Sequence, residues 1–155
     1  MTGRTDDSIS RRSAFALNMP PSQAKCRTVT VPSVGRCMLT ILALKLIVKV
    51  FGLWRTLCWI DRGAEKATIL STGHVATVHA TEHAVATAAA FYPGRALCLE
   101  QSLALYFVLR RQGVPVAYCQ GVQAQPFQAH AWVEYEGEPV NDIPERVRRF
   151  ARFHH

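Results

Sequence analysis

Residues 93–113 read PGRALCLEQSLALYFVLRRQG, an apolar segment bounded at both ends by helix breakers. Pro93 and Gly94 break the preceding segment, Arg110 and Arg111 fall in a last helical turn, Gly113 suits a left-handed cap, and Pro115 forbids continuation. Between Leu97 and Leu109 the polar positions are Glu100, Gln101 and Ser102, so the spacing predicts a helix buried nearly all round. Cys98 stands at its head. The first N–H groups of a helix lack intrahelical partners and the macrodipole places about half a positive charge there, so a thiolate at that point is stabilised.

After it, Val116 to Val122 is a strand-like run, Gln123 to Gln128 a loop containing Pro126, and Ala129 to Glu136 a second strand. In the second strand Ala131, Val133 and Tyr135 share one face, while His130, Trp132 and Glu134 share the other. Gly137 suits the left-handed position of a three-residue hairpin loop, Tyr135 to Gly137. That register pairs Glu134 with Glu138, Trp132 with Val140 and His130 with Asp142. Directly opposed residues have Cβ atoms about 4.5–5.5 Å apart, close enough for a carboxylate to steer an imidazole. A two-residue loop would instead put Asp142 on the opposite face.

A thiol, an imidazole and a carboxylate in this order are the parts of a cysteine acyl-transfer site. Each has a blander reading alone: core packing for Cys98, a surface or hydrogen-bonded strand residue for His130, and turn chemistry for Asn141-Asp142. Their conjunction makes the chain read as an enzyme.

The same residues carry a resemblance. Pro-Gly-Arg and Cys-Leu-Glu-Gln-Ser-Leu-Ala (Pro93 to Ala104), Arg-Arg-Gln-Gly-Val-Pro (Arg110 to Pro115), Gly121-Val122, Ala-His-Ala-Trp-Val-Glu (Ala129 to Glu134) and Pro-Val-Asn-Asp (Pro139 to Asp142) are similar to the core of the lasso-peptide leader peptidases. That family is the microcin-processing branch of the transglutaminase-like and papain-like cysteine protease superfamily. The blocks span residues 93–142, about a third of the chain. The resemblance implies an α+β fold with a central helix packed on a small antiparallel sheet, preceded by two amphipathic helices. It implies Cys98 as nucleophile, His130 as general base and then acid, and Asp142 as the orienting carboxylate. It further implies removal of an N-terminal leader from a ribosomally made precursor peptide, after a leader whose penultimate residue is usually threonine. An ATP-using lasso cyclase would then act on the freed core. Relatives with an additional leader-binding domain carry a winged-helix module, and no strand series of that kind precedes the core here. A stand-alone peptidase that relies on a separate leader-recognition protein is therefore expected.

At 155 residues and 49% hydrophobic, the chain can bury one core. The organisation expected is a basic tail over residues 1–35, a helical part over 36–92 and a catalytic core over 93–155. Ser10-Arg11-Arg12 with Phe15 faintly resembles a twin-arginine signal, but Asn18, Pro20, Pro21 and Ser22 stand where an apolar stretch would be needed. Met38 to Ile60 is strongly apolar, with Lys45, Lys49, Gly52 and Thr56 recurring at helical spacing as one polar stripe. The preferred reading is an amphipathic helix docked on the core, with peripheral membrane contact second, because two lysines near mid-span are costly inside a bilayer. Trp54 and Trp59 serve either role. Five cysteines, an odd number without close paired spacing or a signal peptide, point to a reducing cytosol and free thiols.

A further helix is expected from about Gly73 to Phe91, and His79, Glu82 and His83 spell H-x-x-E-H within it. No third ligand with a supporting pattern accompanies it, so the segment reads as a packing helix and neither metal nor cofactor is expected. The net charge of +7, concentrated in Arg146, Arg148, Arg149 and Arg152 and in the N-terminal segment, suits acidic peptides or a solvated surface. No nucleic-acid recognition motif and no phosphate-binding glycine loop accompany it. Two competing functions keep the same residues: another Cys-His-Asp acyl transfer, as in transglutaminases or arylamine acetyltransferases, and a non-catalytic peptide-binding module.

Overall fold

A computed structural model describes residues 31–64, 74–94 and 96–153. Most of the expected basic tail lies outside them. The described elements are α1 (Val34–Phe51), α2 (Leu53–Ala64), α3 (Val75–Phe91), α4 (Cys98–Arg111), β1 (Val116–Gln123), β2 (Gln128–Tyr135), β3 (Glu138–Pro139), α5 (Pro144–Val147) and β4 (Ala151–Arg152). The strands form one antiparallel sheet in the order β3-β2-β1-β4. The fold is α+β, with α4 at its centre.

The composition of α4 explains its position. Leu103, Ala104, Leu105, Tyr106 and Leu109 are buried on it, and it packs on β1 and β2 and against α1, α2 and α3. Gly113 takes φ 80°, and its N–H donates to Arg110 O while Val114 N–H donates to Leu109 O, both at 3.0 Å, which closes the last turn and turns the chain into β1. The two faces of β2 separate as the alternation predicts. Val133 joins the cluster under α4, whereas Trp132 packs with Val147 and Phe150 on the other side.

Two expectations are corrected. Residues 38–60 do not form one helix: Gly52, at φ 81° and ψ 159°, breaks the run into α1 and α2. Glycine enters that conformation without a Cβ penalty. Gly52 N–H donates to Val48 O at 2.9 Å, and Gly52 O accepts from Thr56 N and Oγ1 at 3.3 and 2.8 Å, so the break leaves no stranded backbone group at that residue. The expected polar stripe disappears with it, since Thr56 is buried and Lys45 leans toward Glu100 and the Tyr92 ring. Among the described residues, three helices therefore precede α4.

The hairpin is the second correction. Its loop is two residues, Glu136 and Gly137, both with positive φ (53° and 87°), and the ladder pairs Tyr135 with Glu138 and Glu134 with Pro139. Positive φ at both central positions gives the primed turn whose twist matches that of the flanking strands.

Candidate active site

The two-residue loop ought to aim Asp142 at the wrong face, and the segment after β3 reverses that. Val140 N–H still donates to Val133 O at 2.8 Å, but the reciprocal Val133 N–H goes to the side-chain Oδ1 of Asn141 at 2.8 Å. An amide side chain thus replaces the next backbone carbonyl, the chain bends over residues 140–142, and Asp142 returns to the side of His130. His130 Nε2 lies 2.5 Å from Asp142 Oδ2. The pairing expected from sequence is present, reached by a bend where a ladder position was expected.

Both side chains are sheltered. The imidazole packs against Phe150, with ring centroids 5.1 Å apart, and stacks beside Trp132 at 6.0 Å. Asp142 Oδ1 accepts from Ile143 N–H at 2.7 Å, and Arg146 stands 3.7 Å from Oδ2. One carboxylate oxygen is therefore held by the backbone while the other holds Nε2, so the Asp142 contact engages one ring nitrogen and not Nδ1.

Phe150 reaches the ring because of Gly121, the residue opposite His130 in the β1–β2 ladder. A Cβ at Gly121 would lie 2.6 Å from Ala151 O and 3.1 Å from Phe150 Cβ, so only glycine admits β4 this close. The C-terminal strand is fixed by Arg152, which donates to Glu134 Oε1 and Oε2 at 2.6 and 3.1 Å and lies over the Trp132 ring. Trp132 Nε1 donates to the same carboxylate at 2.9 Å. One of the expected solvated arginines is thus a strut of the histidine face. Cys119 borders this carboxylate; burial first, then the charge and hydrogen bond of Glu134, push its thiol up to about 11 despite the nearby Arg152.

Cys98 is the first residue of α4 and is half-buried. Leu97 has no acceptor of its own, so only one half of a capping box forms: Glu100 Oε2 accepts from Leu97 N–H at 2.9 Å. The Cys98 N–H is then the first unclaimed donor of the helix head. Tyr118, whose hydroxyl is buried without a hydrogen-bond partner, is raised above the usual phenol range by burial first and then by the charges of Cys98 and Cys119. No hydrogen bond joins the Cys98 sulfur to His130 among the described residues.

Two residues whose roles are not apparent in the sequence tie the cysteine helix to the histidine strand. Ser102 Oγ donates to Ala131 O at 2.8 Å, and Asn141 Nδ2 donates to Ser102 Oγ at 2.8 Å. Ser102 lies one turn after Cys98 and sits beside His130 through Ala131. Its signal in the sequence is a serine four residues after the cysteine in an apolar helix. His79, Glu82 and His83 all fall on α3, and among the described residues no three His, Cys, Asp or Glu side chains come together as a metal site would require.

Comparison with known proteins agrees with this architecture. The family model described as the Transglutaminase-like superfamily matches residues 38–154. The chain is 40% identical over 47 residues to the microcin J25-processing protein McjB of Escherichia coli, a stretch covering 30% of this chain and 23% of that protein. No solved structure matches.

Proposed function

The chain belongs to the transglutaminase-like superfamily, and we propose that it is a cysteine peptidase that removes the leader from a lasso-peptide precursor. The observation that carries this reading is the His130–Asp142 contact of 2.5 Å, downstream of a cysteine at the head of a buried helix. The similarity over 47 residues to a microcin-processing protein supports that substrate class.

In this reading the Cys98 sulfur attacks the carbonyl carbon of the last leader residue, while His130 takes up the thiol proton. His130 then gives that proton to the departing core amine as the C–N bond breaks and a thioester remains. Water, deprotonated by His130, attacks the thioester; the C–S bond breaks, the leader leaves as a carboxylic acid and the thiol is restored. Asp142 holds the ring and stabilises its charged form. The Cys98 N–H heads the set of backbone donors for the oxyanion, since the Leu97 N–H is already occupied by Glu100.

Superfamily membership favours one second reading, transfer of the acyl group to an amine in place of water. Incubating wild type and Cys98→Ala with a candidate precursor and a leader-recognition protein, read by mass spectrometry, separates the outcomes. Hydrolysis yields two peptides and crosslinking one. Unchanged leader removal by Cys98→Ala would refute the assignment.

A further inference from the structure

The outer side of α1 is unusual for a helix on a protein surface. Its inward face, Cys37, Ile41 and Leu44, is buried in the core, yet Leu39, Leu42, Leu46 and Val50 recur every three or four residues on the opposite side and are exposed. Leu39 and Val50 are 68% and 72% exposed, more than incidental surface leucine or valine in a folded chain requires. Past the Gly52 elbow Trp54 and Trp59 are also more than half exposed, with the Trp59 ring stacked on Phe107 at 5.8 Å. A cleft of about 350 Å³ opens inside the elbow between Ile47, Phe51 and Trp59.

Charge and hydrogen bonding indicate what this face meets. The charged residues of α1 and α2 are Arg36, Lys45, Lys49, Arg55, Asp61 and Arg62, and the one acid is held by the Tyr106 hydroxyl with Arg110 nearby. Arg36, Lys49, Arg55 and Arg62 are exposed and flank the apolar stripe. The stripe itself offers no hydrogen-bonding side chain apart from the tryptophan indoles. The hydroxyls of Thr40 and Thr56 both donate to backbone carbonyls four residues back, at 2.8 Å to Arg36 O and Gly52 O. A peptide laid on such a ridge would find its backbone groups unmatched, whereas hydrocarbon needs no partners. Apolar ridge, paired tryptophans and a cationic border are the composition of an interfacial helix. No described helix is long and apolar enough to cross a membrane, so contact with lipid would lie along the surface.

We propose that the α1–α2 elbow docks this protein on the surface of an anionic lipid bilayer, with Leu39, Leu42, Leu46 and Val50 immersed and Trp54 and Trp59 at the headgroup level. The docking is independent of the peptidase reading and requires no precursor.

Co-sedimentation of the full chain with vesicles of phosphatidylcholine, alone or mixed with phosphatidylglycerol, tests it. Binding is expected with the anionic vesicles and a blue shift of tryptophan emission with it, because Trp54 and Trp59 move while Trp132 is already buried. Leu46→Glu with Val50→Glu should abolish binding. Lys49→Gln with Arg55→Gln should weaken it about 30-fold, from roughly fivefold per basic residue near the surface. Circular dichroism and thermal unfolding identify variants that keep their fold, and Cys98→Ala should bind as wild type. Binding indifferent to lipid charge, binding retained by a folded stripe variant, or a wild-type dimer that the stripe variant turns into monomer would each overturn the proposal.

Discussion

Asn141 Nδ2 donates to Ser102 Oγ across 2.8 Å, and with the further bonds to Ala131 O and Val133 N–H this joins the cysteine helix, the histidine strand and the segment carrying Asp142. Ser102 is fully buried, so its hydroxyl cannot turn to water if Asn141 is lost. Ser102→Ala and Asn141→Ala should each cost about 1–3 kcal/mol in denaturant unfolding, since each strands buried polar groups. The double variant should cost less than the sum, with a coupling of roughly 0.5–3 kcal/mol. Strict additivity would show that the two residues do not act as one clamp.

Asp142→Asn keeps the size of the side chain and removes the negative charge facing His130 Nε2. On the proposed mechanism, precursor cleavage should fall on the order of 10⁴-fold, the loss seen when the acid of a serine protease triad is changed in the same way. Thermal unfolding should change little. Cleavage at the wild-type rate would remove Asp142 from the mechanism.

The cysteines should separate by reactivity. Burial raises the Cys37 thiol, and burial with Glu134 raises Cys119 to about 11, so both stay protonated at neutral pH. Cys98, half-buried at a helix head, should alkylate with iodoacetamide well before either, as read by peptide mass spectrometry. Equal labelling of Cys98 and Cys119 would count against a nucleophilic role.

Gly121→Ala places a Cβ 2.6 Å from the Ala151 carbonyl oxygen, a backbone atom that cannot move alone. The variant should lose roughly 1–3 kcal/mol as β4 is pushed off β1. Phe150 should then withdraw from His130, which the chemical shifts of the imidazole would report. An unchanged ring environment would show that β4 yields without moving Phe150.

Stability should fall in alkali. Cys119 rises from 9.0 to about 11 on folding, so the unfolded chain loses this proton first. Its contribution is intact below about pH 9 and is lost as pH rises through about 11. The buried Tyr106 and Tyr118 phenols, both raised, act in the same direction at higher pH. Urea midpoints at about pH 8 and about pH 11 should show the drop, and Cys119→Ala should flatten its lower part.

The helix that presents Cys98 was legible because its composition, its breakers and its cap are local properties, and α4 spans Cys98–Arg111 between them. The face of β2 that carries His130 was legible for the same reason, since alternation has a period of two whatever the rest of the chain does. The hairpin was not. Choosing between two- and three-residue loops turns on whether Glu136 accepts positive φ, and the twist of the finished sheet decides that. Nor could spacing show that Asn141 would take over a ladder bond and swing Asp142 back, because that bond needs Ser102 in place from 39 residues upstream. Local sequence determined which side chains could do chemistry and on which element each would ride. Their meeting was decided by tertiary structure, because a buried hydrogen bond forms only between groups that packing has already brought within about 3 Å and sealed from water.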